Sequence, residues 1–245
     1  MKRFLLCWLA LTGAVVAGLS PELWSKGASR ANMLQVPSGG AAATQCTGSG
    51  WTLIGHATAV GSAATPSINT AGANLFVVVT GDNGAGTVID YQGATQGNTT
   101  YTKAVSGGSN TTVSIWYFYA PANTGPASNW IYYTATADTF EVLAFSGAAA
   151  SPLDGPGSTA YGAAATLAAG SITPSTSGQL VVAGIAAQGT VSSISSPYVI
   201  TDNQPYSSNV GTAAACQIQA TAAATNPVWT MSAANPANAA IVSFK

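Results

Sequence analysis

Beyond residue 31 the chain is almost without the side chains that build exposed helices. From Asn32 to Lys245 it holds two lysines, no arginine and one glutamate, Glu141, while Gly, Ala, Ser, Thr and Asn dominate. The missing residues are good surface helix formers and the abundant ones favour turns and strands. Long amphipathic helices are therefore not expected. Short apolar runs recur between turn clusters at 51–60, 75–79, 112–120, 130–135, 140–145, 180–187, 228–231 and 239–244. Such punctuation predicts an all-β fold, a β-sandwich or jelly roll, and ~200 residues fit one such domain.

The chain also echoes itself. Thr65-Pro66-Ser67 leads through Gly72 to Leu75-Phe76-Val77-Val78, and Thr173-Pro174-Ser175 leads through Gly178 to Leu180-Val181-Val182. Farther on, Trp130 precedes Phe145 by the same interval that separates Trp229 from Phe244. Two sequence-related sets of strands making one sandwich are expected, and no charged or proline-rich linker divides them.

Residues 1–31 read as an export signal. Met1-Lys2-Arg3 is positive and 4–19 is apolar, with small-x-small processing positions before Asn32 and at Val16-Ala17-Gly18. A retained anchor is the alternative, and only then would a membrane be a partner. Residues 32–50 are expected to be a flexible N-terminal segment, and 51–245 a single β-sandwich domain. Once the signal is removed, Cys46 and Cys216 remain; in an exported chain they are either a disulfide closing a long loop or two buried free thiols.

The ionisable inventory is thin. Past residue 31 it comprises Lys103 and Lys245 against Asp82, Asp90, Asp138, Glu141, Asp154 and Asp202, with His56 the one histidine. Most catalytic sites draw on these residue types, so no catalytic residue is assigned. His56 has no acid near it in sequence to orient it, and alternation places it on the strand face of Ile54 and Val60. A Gly-x-Ser-x-Gly elbow is absent. A secreted glycoside hydrolase would need two facing carboxylates ~5–9 Å apart; Asp138 and Glu141, three apart on a strand, would face opposite ways. Residues 81–86 (Gly-Asp-Asn-Gly-Ala-Gly) read as a turn and lack the further acids of a calcium loop. Neither a cofactor nor a metal is implied, because two separated cysteines and one histidine do not form a ligand cluster. The acidic excess makes nucleic acid a poor partner.

The densest binding feature is aromatic. Along 112–120, Val113, Ile115, Tyr117 and Tyr119 fall on one face and Ser114, Trp116 and Phe118 on the other. One bulky face fills a core. The second either packs under a loop or, with Trp130, Tyr132 and Tyr133, forms an aromatic platform. Flat rings near amides and hydroxyls suit sugars, which makes Trp116, Phe118, Trp130, Tyr132 and Tyr133 the candidate ligand-binding residues.

Four segments carry a resemblance: Gly97-Asn98-Thr99-Thr100-Tyr101-Thr102, Ile115-Trp116-Tyr117-Phe118-Tyr119-Ala120-Pro121, Glu141-Val142-Leu143-Ala144-Phe145-Ser146-Gly147 and Ser151-Pro152-Leu153-Asp154. Together they resemble a poorly characterised β-sandwich family that recurs in phage virion proteins and in secreted or surface proteins of bacteria. The resemblance implies an extracellular or virion setting and no reaction. The expected function is thus an exported structural or adhesive surface protein, secreted or on a virion, whose partners are glycans, itself or other surface proteins. A carbohydrate-binding module is the alternative. The intact mass of exported protein should correspond to a chain starting at Asn32; Met1 retained in a membrane fraction would refute the signal reading.

Overall fold

The computed structural model describes residues 46–61, 65–82, 86–92, 95–96, 101–108, 111–120, 129–134, 139–205 and 210–245. The signal segment and most of 32–50 lie outside them. Numbered along the chain, the first strands are β1 (Thr52–Val60), β2 (Ile68–Asn69), β3 (Leu75–Asp82), β4 (Val88–Gln92) and β5 (Thr95–Gln96). Next come β6 (Thr102–Gly107), β7 (Thr112–Tyr119), β8 (Asn129–Thr134), β9 (Thr139–Ser146) and β10 (Ser158–Ala168). The last are β11 (Gln179–Ala187), β12 (Val191–Ile194), β13 (Val199–Gln204), β14 (Gly211–Gln219) and β15 (Val228–Phe244). No helix occurs among the described residues.

Two antiparallel sheets pack face to face as a β-sandwich. One runs β1-β9-β3-β7-β6 and the other β10-β15-β11-β14-β13. Counting the main strands of each half in chain order, both sheets read first, fifth, second, fourth, third. The registers agree as well. Leu75 lies opposite Tyr119 and Phe145, as Leu180 lies opposite Ile218 and Phe244. The pairing of β6 with β7 slips between Lys103 and Val105, and that of β13 with β14 slips at the matching place, between Ile200 and Asp202. Even a hydrogen bond recurs: Thr139 Oγ1 donates to the Val210 carbonyl, and Asn238, its counterpart, donates Nδ2 to the Thr111 carbonyl. The turns before β3 and β11 both use a glycine in the left-handed region, Gly72 at φ 88° and Gly178 at φ 81°, where a Cβ would be strained. The two halves are thus one motif used twice.

Both sheets are apolar on both faces, as the uninterrupted runs Leu75-Phe76-Val77-Val78-Val79 and Leu180-Val181-Val182 require. Leu75, Val77, Val79, Leu143 and Phe145 meet Leu180, Val182, Val242 and Phe244 in the central core. Outer faces need separate covers. Ile68 of β2, Val88 of β4 and Tyr101 lie over Phe76, Val78, Phe140 and Val142. Leu167, Val191, Tyr198, Trp229 and Met231 lie over Val181, Ala183, Ile185 and Ala213. The strand pairings correspond too: position 130 in β8 pairs with β2 and β4, as Trp229 at the start of β15 pairs with β10 and β12.

Several strands escaped the sequence reading. The runs 228–231 and 239–244 are the ends of one 17-residue strand, β15. The strands β10, STAYGAAATLA, and β14, GTAAACQIQ, carry too few large apolar residues to stand out, yet β14 is mostly buried. Partner strands supply what their own side chains lack. The sandwich also takes in residues before 51, since Cys46 is fully buried in the central core and bonded to Cys216. The bridge closes a loop spanning 170 positions, so replacing both cysteines by serine should cost ~2–4 kcal/mol, mainly through a less constrained unfolded chain. Paired denaturant titrations of the two proteins measure it.

Candidate functional site

Where β1 at the edge of one sheet meets β13 at the edge of the other, the fold assembles an acid–base cluster from residues far apart in sequence. His56 Nδ1 donates to Asp202, 2.8 Å from Oδ2 and 3.0 Å from Oδ1. Two positions along, Thr58 Oγ1 donates to Gln204 Oε1 at 3.0 Å. Behind this pair lies Glu141 of β9, fully buried, in the inward row that continues to Leu143 and Phe145. Neither Glu141 carboxyl oxygen has a hydrogen-bond partner of normal geometry, nor does the Thr212 hydroxyl.

Alternation alone misplaces His56. A register shift between Leu53 and Gly55 intervenes in the pairing of β1 with β9, so Ile54 packs with Ala57 and Ala59 against the outer core while His56 turns toward β13. The bulge re-aims the side chain. Asp202, 146 residues away, is the orienting acid that local sequence could not reveal.

Burial governs the charges. The hydrogen bond to Asp202 holds the His56 pKa above its ordinary value, against the opposing effect of burial and with help from the Asp202 charge. Burial raises the Asp202 carboxyl, and the His56 bond and charge offset only part of that. Glu141 is pushed well above the ordinary carboxylate range, first by burial and then by the Asp202 charge; Thr212 and the backbone at Gln204 and Ala214 offset little. The cluster therefore favours a neutral Glu141 acid and a protonated His56 held against Asp202.

The duplicated half shows what this seam needs for folding. By register, Glu141 corresponds to Ala240, Asp202 to Val105 and, one residue before the pairing begins, His56 to Gly157. The second seam has the same closeness. A Cβ on Gly157 would lie 2.6 Å from Val105 Cβ, and one on Gly107, the counterpart of Gln204, 2.6 Å from Thr159 Cβ. The same joint is thus closed once with ionisable groups and once with small or apolar ones.

The aromatic residues of β7 follow the expected alternation. Val113, Ile115, Tyr117 and Tyr119 belong to the central core, and Trp116 and Phe118 pack partly buried against the outer one. Phe118 stacks on Phe76 at 6.4 Å and lies 5.6 Å from Tyr101. Lys103 Nζ sits 4.4 Å above the Trp116 ring, whose Nε1 donates to Thr80 Oγ1 at 3.3 Å. At the end of β7, a groove of about 510 Å³ is lined by Thr102, Tyr117, Phe118, Tyr119 and residues 150–153. Trp130, Tyr132 and Tyr133 lie on β8, of which only the backbone is described, hydrogen-bonded in the small sheet β2-β8-β4-β5. That sheet is not the one holding Trp116.

Asp138 and residues 83–85 of the turn at 81–86 lie outside the described residues; Asp82 is buried at the end of β3. No group of three His, Cys, Asp or Glu able to hold a metal occurs among the described residues. Asp154 has a structural role, accepting from the Ser175 amide at 2.7 Å, from its hydroxyl, and from Ser243 Oγ at 3.3 Å. It ties the link between the halves to β15 and to the turn before β11.

No protein-family model, curated protein or solved structure matches the chain.

The raised pKa values share one sign. The folded state holds the extra protons, so their contribution to stability is complete at acid pH, below the ordinary carboxylate range. It is lost as pH rises through the raised values of Glu141, Asp202 and His56. Melting temperature should therefore decline from mildly acidic to alkaline pH. Glu141→Gln, which mimics the neutral acid, should flatten that decline; an unchanged slope would show that Glu141 does not bind a proton on folding.

Proposed function

We propose that the chain is an exported, non-catalytic surface protein, structural or adhesive, of a bacterial or virion exterior. The observation that carries the reading is the enclosure of the His56–Asp202–Glu141 cluster. Acid–base chemistry needs its groups within reach of a substrate. Here Glu141 has no exposure and the His56 and Asp202 side chains are only 12% and 6% exposed, wedged between edge strands. The export pattern at 1–31 and a nearly uncharged surface, which weakens repulsion between molecules, support an exterior, associating protein. The resemblance to virion and bacterial surface sandwiches points the same way.

A specific observation favours carbohydrate binding as the second reading. The groove at the end of β7 brings Tyr117, Phe118 and Tyr119 together with the Thr102 and Ser151 hydroxyls, and sugar rings stack on such faces. Size-exclusion chromatography over a concentration series and a glycan array on the same sample separate the two. Assembly without glycan binding supports the structural reading. Glycan binding that Tyr119→Ala weakens by ~1–3 kcal/mol supports the second. In either case His56→Ala should leave assembly and binding intact. A hydrolytic activity abolished by His56→Ala in a protein that still folds would overturn the non-catalytic reading.

A further inference from the structure

A second groove, of about 480 Å³, opens at the far seam, where β10 runs past the end of β6. Facing β6, the row runs from Gly157, just before β10, to Thr159 and Tyr161 on it. Gly157 packs on Val105 and Thr159 on Gly107, the last residue of β6. The strand ends there, so Tyr161 has no partner and stands 67% exposed, the most exposed large apolar side chain among the described residues. Thr111, Gln188, Pro236 and Asn238 also line the groove. Gln188 Nε2 donates to Thr111 Oγ1 at 3.4 Å, and Asn238 Nδ2 to the Thr111 carbonyl. Asn238 and Thr111 are buried, so these bonds hold the floor of the groove, while Gln188 and Thr159 are the polar side chains exposed on it.

We infer that this groove binds a neutral oligosaccharide. An exposed flat ring stacks on the C–H face of a sugar, the exposed Gln188 amide and Thr159 hydroxyl can bond its hydroxyl groups, and the lining holds no charge that a neutral ligand would have to desolvate. The duplicated half shows that the fold does not require this chemistry. Tyr161 corresponds to Val60, which offers no flat ring. The inference rests on the adhesive reading, to which it gives a ligand class, and places the ligand away from the β7 groove.

The test is calorimetric titration of the exported chain with maltohexaose, cellohexaose, xylohexaose and chitohexaose. At least one should bind. Tyr161→Ala should weaken that binding about tenfold or more, and Gln188→Ala should weaken it too; Tyr161→Phe should retain most of it, with melting temperatures nearly unchanged because Tyr161 is exposed. Binding by none of the four, or binding indifferent to Tyr161→Ala, overturns the inference. Loss confined to Tyr119→Ala also overturns it and assigns the sugar to the β7 groove, leaving the adhesive reading in place. Sugar binding as expected by a chain absent from the exterior surface would fail the adhesive reading and not the groove.

Discussion

The structure depends on strands that are apolar on both faces. A strand with a single apolar face can leave the other in water, but β3 and β11 have no polar side to expose. Each sheet consequently needs two covers. One is the opposing sheet. The other is a set of short strands folded back over the outer face, which explains why so small a chain builds three cores in series.

Duplication meets that demand economically. A motif that covers its own outer face still leaves an inner one, and a second copy is a natural complement because its inner face has the same spacing and twist. Common strand order, registers, bulge position and the Thr139 and Asn238 bonds show how far the copies agree. Their differences are then informative. Positions where the two copies carry different chemistry cannot be demanded by the shared backbone. Both the enclosed His56–Asp202–Glu141 cluster and the open Tyr161 groove are of that kind.

The two seams also illustrate opposite uses of polarity. A buried ion pair rarely stabilises more than a well-packed apolar contact, and the seam closed by Gly157 and Val105 needs none. The charged seam instead makes stability depend on pH. At the other seam the polar groups are neutral, and Tyr161, Gln188 and Thr159 reach solvent, which suits contact with a ligand.

Sequence alone determined the fold class, because an absence of helix-forming surface residues and a succession of short apolar runs leave little but stacked β-sheets. It also exposed the repeat, through the Thr-Pro-Ser turns and the Trp-to-Phe spacing, and it assigned the faces of β7 correctly, since alternation is a local property. It could not show β10 or β14, whose alanines and glycines become core only when larger side chains arrive from partner strands. Nor could it pair His56 with Asp202. That contact needs a bulge at Leu53–Gly55 and two sheets meeting edge to edge across 146 residues. Setting the two halves in register would have marked positions 56, 141 and 202 as ionisable where the other copy has Gly, Ala and Val. Only the tertiary structure decided that they meet, because proximity between edge strands is set by how the sheets pack and leaves no periodic trace in either strand.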